Sequence, residues 1–212
     1  MRDTDELIDQ LTGDLQPRAR ISPWSGRALL ALIAFLTVSL LVACFGMRPD
    51  FAAGHPHATA LICALVMLSL CVTFAAGVTA MARPAVGATR SGWQWALAPI
   101  AILPIAAAVT AASDAAEFAR MLPPEGPQCL IVGSLASLAS IALLTFWLRR
   151  GAPTSAARAA WLIGIAGGAV GALAMAFVCP IDAITHIGTW HVGIVLMAAI
   201  GSRLALPYFL RW

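Results

Sequence analysis

The apolar positions of this chain fall in long unbroken blocks, and the polar positions are confined to short gaps between them. A stripe of apolar residues every three to four positions marks a helix wetted on one side. A block of about 20 instead matches the hydrocarbon thickness of a bilayer. Six such blocks predict six transmembrane helices, at about 28–47, 58–82, 93–112, 129–148, 159–179 and 190–208. Only residues 1–27 stand apart as a substantial polar segment. The expected fold class is all-α, a polytopic membrane protein built as a six-helix transmembrane bundle over 28–212 with a short N-terminal amphipathic helix in front of it.

Composition agrees, and the charge pattern adds an orientation. Of 212 residues 60% are hydrophobic and 11% charged, where a soluble domain carries about 25% charged residues. A formal charge of +3 is too small to point to nucleic acid, and its placement says more than its size. All 13 basic residues are Arg; Arg48 and Arg120 lie in the first and third loops, and the other eleven lie in the N-terminal segment, the second and fourth loops and the C-terminal end. By the positive-inside rule both termini are cytoplasmic, and the segment after Cys179 faces outward. Trp93, Trp147, Trp161, Trp190 and Trp212 fall near block ends, where indoles anchor at the interface. The segment before the first block is 27 residues long and carries five acids. That is unlike a short basic leader, so no cleavage is expected at the Cys44 of "LVAC".

Inside the blocks, Gly164, Gly167, Gly168 and Gly171 give two overlapping GxxxG spacings suited to close helix contact. Pro99 and Pro104 predict kinks in the third span. No acid or base lies near a block centre, which argues against an ion or proton path and hence against a transporter.

The candidate chemistry is concentrated in "CPIDAITHIGTWH", residues 179–191. Cys129 opens the fourth block and Cys179 closes the fifth, and residue 154, in the loop "RRGAPTSAAR", lies midway between them. Each thiol is thus about 20 helical residues, or about 30 Å, from the inner surface, so the two emerge at one level on an antiparallel hairpin. That arrangement permits a disulfide, which needs Cα atoms about 4.4–6.8 Å apart, without requiring one. Cys129, Cys179, Asp182, His186 and His191 together form a candidate ligand set for a borderline or soft metal ion. The spacing C-x2-D-x3-H-x4-H matches no standard zinc pattern. A plainer reading has Asp182 capping a short helix and His191 anchoring beside Trp190. Cys63 and Cys71, inside the second block, read as small buried hydrophobes; Cys44, His55 and His57 are secondary candidates. A transient metal ion at the outer Cys/His site is the one cofactor in view. No catalytic constellation is present, so an enzyme is not expected. The rival reading is a small membrane redox or metal-binding protein or enzyme that uses the same site.

The N-terminal segment carries Leu7, Ile8, Leu11 and Leu15 at helical spacing, with Pro17 ending the pattern. A helix this short is marginal unless a surface buries its apolar stripe. Its acids, Asp3, Asp5, Glu6, Asp9 and Asp14, suit a basic protein groove better than an anionic leaflet.

Leu7-Ile8-Asp9 with Leu11, Asp14-Leu15 and Pro17-Arg18 resembles the opening of the NrsF-type membrane anti-sigma factors. "FWLRRGAP", Cys129 and "CPID" through "WH" extend the likeness over essentially the whole chain. Where that family tends to have Val-Arg after the proline, this chain has Arg18-Ala19-Arg20. The resemblance implies a six-span protein of the bacterial inner membrane that sequesters an extracytoplasmic-function sigma factor, with no direct nucleic-acid contact. It implies that segment 1–27 binds the sigma factor through Leu7, Ile8, Asp9, Leu11, Asp14, Leu15, Pro17 and Arg18. It also implies that Cys129 and Cys179, in the sensor domain 28–212, respond to metal or oxidative stress.

Overall fold

The structure, a computed structural model, describes residues 4–13, 22–82, 97–121, 124–151 and 153–210. Among them no strand occurs. Residues Thr4–Gly13 form α1, on which Leu7, Ile8 and Leu11 are exposed; Asp14, Leu15, Pro17 and Arg18 lie outside the described residues. Helix α2 (Pro23–Phe45) starts on a proline, whose missing N–H costs nothing in a first turn, and stops at Gly46 with φ 85°. A short α3 (Pro49–Ala52) leads to α4 (Ala58–Met81). Helices α5 (Leu97–Ser113) and α6 (Ala115–Met121) meet at Asp114, whose carboxylate accepts the Ala116 N–H at 2.8 Å. Then come α7 (Gly126–Leu148) and α8 (Ala156–Val178), the latter capped by Ser155, which accepts the Arg158 N–H. The chain closes with a short α9 (Ile184–His186), a π-helical turn (Ile187–His191) and α10 (Val192–Phe209).

Five of these segments are long and apolar enough to cross a membrane: α2, α4, α7, α8 and the continuous run Ile184–Phe209. The third block is described only in part. Its described helix, α5, has 17 residues with Pro104 inside, at the lower limit of about 17 for a span, and residues 93–96 lie outside the described residues. Helix α6 was not anticipated, because it is too short to carry a period of its own, and α9 is a short helix after Asp182.

Helix α8 is the axis of the bundle. It is buried from Ala159 to Ala176 except at Trp161, and it packs against α10, α4, α7 and α2. Its small residues explain how four neighbours fit around it. Gly164 and Gly168 face α10, while Gly167 and Gly171 face α7, so the two overlapping spacings serve two different partners. The outer faces of the surrounding helices are apolar and exposed, as at Leu32, Phe35, Leu36 and Leu40 of α2. Such a surface suits contact with lipid.

Neighbouring helices alternate in direction and define two ends. At one, the Trp147 indole N–H donates to Ser25 Oγ at 3.0 Å and Arg27 Nε donates to Thr79 Oγ1 at 3.4 Å, which ties α7, α2 and α4 together beside the N-terminal segment. At the other lie the start of α7, the end of α8 and the π turn.

Candidate thiol–imidazole centre

Cys129 sits in the first turn of α7, and Cys179 follows the last residue of α8, its N–H still donating to Met175 O at 2.8 Å. That last helical hydrogen bond fixes where the Cys179 side chain leaves the helix. His186 and His191 flank the π turn. Five residues apart on an α-helix they would point about 140° from each other, at about 100° per residue. The π turn, closed by the Val192 N–H donating to Ile187 O, adds a residue to the turn and brings them to the same side. Their ring centroids are 5.6 Å apart. Such turns occur often at functional sites.

One donor atom from each of Cys129, Cys179, His186 and His191 lies within 4.8 Å of the other three, and all four residues are buried. Cys129 Sγ is 3.6 Å from Cys179 Sγ, which is 3.5 Å from His186 Nε2. A tetrahedral ion with sulfur at about 2.3 Å and nitrogen at about 2.0–2.1 Å places two sulfurs about 3.8 Å apart and a sulfur and nitrogen about 3.5 Å apart. Those two spacings match, and the remaining separations, bounded at 4.8 Å, leave room for the group to close around an ion. His186 Nδ1 and His191 Nε2 are buried with no hydrogen-bond partner, a costly state for a polar atom that a bound cation would relieve at any nitrogen turned toward it. A thiolate, not a thiol, is the metal ligand and the nucleophile.

Asp182 is not one of the converging donors. It pairs with Arg48, and His57 Nε2 stands 3.7 Å from its other oxygen. The plainer reading of this stretch also fails. The residue at the start of α9 is Ala183, with no side-chain cap, and His191 is buried instead of lying at an interface. Cys44, His55 and His57 are exposed and outside the group, and Cys71 is buried away from it. Cys63 is buried as expected, but its sulfur lies 3.8 Å from His191 Nδ1.

Arg48 is the residue that sequence reasoning missed. Its Nε donates to Asp50 Oδ1 at 2.6 Å, Nη2 donates to Asp182, and Nη1 donates to the Cys179 carbonyl at 2.8 Å. Its backbone N–H also donates to Phe177 O at 3.1 Å. A signal was present: Arg48 is one of only two Arg residues in the Arg-poor loops. Around the centre the same end carries Asp50, Asp114, Glu117, Glu125 and Asp182 against Arg48 and Arg120, an excess of negative charge that attracts cations. An open cavity of about 540 Å³, lined by Thr59, Thr110, Glu117, Arg120, Asp182 and Ile184 among others, borders the segment between Cys179 and His186.

Among the described residues, fold and site together define an all-helical protein with five helices long and apolar enough to cross a membrane and a buried thiol–imidazole group at one end. The family model described as negative regulator of sigma F, NrsF, matches residues 11–212, and the chain belongs to that family. No curated protein and no solved structure matches it.

Proposed function

We propose that this protein sequesters an extracytoplasmic-function sigma factor at the bacterial inner membrane and releases it when the thiol–imidazole centre captures a soft or borderline metal ion. The observation that carries this reading is the approach of four donors, from two helix ends and a π turn, to within 4.8 Å of one another. It occurs in a chain whose family is named for negative regulation of a sigma factor. The protein is regulatory and not catalytic on this reading, and lipid is its other partner.

The eleven-to-two Arg distribution supports cytoplasmic termini and a periplasm-facing centre. Six spans, with the third the shortest, would satisfy that arrangement. On the cytoplasmic side, α1 offers Leu7, Ile8 and Leu11 with Asp9 beside them, and nothing in the described chain covers these side chains. The adjoining Asp14, Leu15, Pro17 and Arg18 complete the partner-binding segment. Helix-in-groove contact with a basic sigma-factor surface would bury the stripe. Helix α2 joins the two sites, running from the N-terminal segment to Arg48, which holds the end of α8 at Cys179. An ion that pulls Cys179 toward Cys129, His186 and His191 moves the carbonyl to which Arg48 is bound. A tenfold loss of sigma-factor affinity needs about 1.4 kcal/mol of such coupling.

Oxidation is a second trigger that one distance favours. The Cys129 and Cys179 sulfurs, 3.6 Å apart, close to about 2.05 Å when a disulfide forms. The two thiols lose two protons and two electrons to the oxidant.

The test is recovery of sigma factors from cell extract on the detergent-solubilised full chain. Wild type retains a sigma factor that Leu7→Asp/Leu11→Asp does not. Added Zn²⁺ or a thiol oxidant elutes it from wild type and not from Cys129→Ser/Cys179→Ser. Retention by the tail variant, or elution from the cysteine variant, overturns the corresponding half.

A further inference from the structure

The two imidazoles of the centre are held in opposite senses. His186 turns Nε2 toward the Cys179 sulfur at 3.5 Å, and its Nδ1 is buried with no hydrogen-bond partner. His191 turns Nδ1 toward the sulfur of Cys63 at 3.8 Å, and its Nε2 is the buried nitrogen without a partner. Cys63 comes from the second turn of α4 and lies outside the four residues whose donors converge within 4.8 Å of one another. Its sulfur therefore touches the far side of the ring, and the nitrogen left for the centre is Nε2. A neutral imidazole that is to accept a cation at one nitrogen must carry its proton on the other. An acceptor at that other nitrogen fixes both the tautomer and the ring plane. Carboxylates and backbone carbonyls usually fill that role. Here the acid of the stretch, Asp182, is taken by Arg48, and the acceptor beside the buried His191 ring is a sulfur.

We propose that Cys63 is a positioning residue: the His191 Nδ1–H donates to its sulfur, which holds the ring as the Nδ1–H tautomer and keeps the Nε2 lone pair free for the centre. The inference rests on the metal-capturing reading above for its consequence, that His191 meets an arriving ion through Nε2 without turning or changing tautomer. Cys63 keeps its proton and forms no bond to the ion. A thiol sulfur is a weak acceptor, but the opposite tautomer would aim an N–H into the donor group and remove one of its four ligands. His186 has no comparable partner at Nδ1, so of the two imidazoles His191 is the one whose tautomer is set by the protein before an ion arrives.

The experiment is NMR of the full-length protein in detergent, labelled with ¹⁵N and ¹³C in histidine, reduced and metal-free, in mildly alkaline buffer. Ring nitrogen and Cδ2 shifts report the tautomer, and His191→Gln assigns the His191 signals by their loss. Zn²⁺ affinity is then measured on the same proteins. Wild type is expected to show the Nδ1–H tautomer at His191. Cys63→Ala removes the acceptor; it should give both tautomers at His191 and bind Zn²⁺ about tenfold more weakly, as when the partner behind a metal ligand is lost. Cys63→Ser restores an acceptor and should recover the tautomer and most of the affinity. Cys71→Ala, a buried cysteine away from the group, should match wild type in both. A Cys63→Ala protein that loses affinity while keeping the wild-type tautomer would mean that Cys63 only fills space, overturning the proposal, as would the Nε2–H tautomer in wild type. A Cys63→Ser protein that binds Zn²⁺ as weakly as Cys63→Ala would mean that the sulfur itself meets the ion, and would also overturn it. Wild type with the Nδ1–H tautomer but no affinity for Zn²⁺ would remove metal capture and leave the hold of Cys63 on His191 supported.

Discussion

Arg48 and Cys179, 131 residues apart in the chain, are joined by a hydrogen bond of 2.8 Å from the guanidinium Nη1 to the cysteine carbonyl. The last carbonyls of a helix have no partner within it, and Arg48 supplies two, since its N–H also reaches Phe177 O. The exit of α2 and the end of α8 are thereby one mechanical unit, with a thiol of the centre inside it. Asp50 and Asp182 hold the guanidinium from two sides, which fixes its direction as well as its charge.

Replacing Arg48 by alanine should loosen that unit. The buried bond to Cys179 is charge-assisted and contributes about 1.5–3 kcal/mol. Thermal unfolding in detergent should show a loss of that order, and sigma-factor release should no longer follow metal addition. Arg48→Lys keeps the charge but cannot present three donors in a planar fork. It should recover part of the stability and little of the response. A variant that unfolds and responds like wild type would place the transmission elsewhere.

The clasp should be insensitive to pH across the ordinary range. Desolvation opposes the charge on Asp50, but the Arg48 hydrogen bond and the His57 N–H outweigh it and hold the carboxyl at about 2, against an ordinary value of 3.8. A depressed carboxyl contributes stability that is fully present above its unfolded value and is lost as pH falls through its folded value. The Arg48 pKa, also opposed by desolvation, is raised by Asp50 and Asp182, so its charge persists throughout. The gap in unfolding midpoint between the protein and its Asp50→Asn variant should be constant from pH 5 to 8 and narrow below about pH 4. His57→Ala is the suitable background, because that imidazole faces Asp182. A gap that narrows between pH 5 and 7 in that background would contradict the assignment.

Gly126 supports the centre without supplying a donor. It stands three residues before Cys129, and a methyl there would collide with the indole of Trp190, whose N–H donates to Met121 O at 2.9 Å. Because Trp190 adjoins His191, Gly126→Ala should turn the imidazole and weaken Zn²⁺ binding about tenfold, in line with changes behind a metal ligand. Isothermal titration would show it, and Gly193→Ala, where a new methyl meets only the end of the Leu130 side chain at 3.3 Å, is the comparison.

How much of this could be read from the sequence depended on period and symmetry. The blocks announced the long helices because a span must be apolar throughout, and the equal distance of Cys129 and Cys179 from residue 154 put two thiols at one level. Arg48 and Cys63 were not legible in that way. Their partners lie 131 and 128 residues away, and such pairings arise only when the end of α8 packs beside Arg48 and the π turn packs on α4. The joint placement of His186 and His191 was hidden for a local reason. Five residues is the wrong spacing for one face of an α-helix, and no residue in "IGTW" marks a π turn. Asp182 looked like a ligand by proximity in sequence, but the positive charge of Arg48 claims it.

The glycines of α8 give the most direct test of whether close packing transmits the signal. A methyl at Gly168 would lie 2.8 Å from Val195 Cα, and one at Gly164 would lie 2.6 Å from Ala198 O. These are backbone atoms of α10, so no rotamer change can make room and the two helices must separate. Overpacking of this kind costs about 1–3 kcal/mol, and Gly168→Ala should lower the unfolding midpoint accordingly. Gly201, also on α10, has nothing near its would-be methyl, and Gly201→Ala should be neutral or gain up to about 1 kcal/mol from helix propensity. Because α10 begins directly after the π turn that carries His191, moving it off α8 also pulls an imidazole away from Cys179. Gly168→Ala should therefore weaken metal binding as well as stability. If release requires the centre to close, a reporter driven by the sigma factor should stay repressed when metal is added. Constitutive reporter activity in Gly168→Ala would instead mean that separation of α8 from α10 is itself the releasing movement, reversing the direction of the switch while leaving its parts in place.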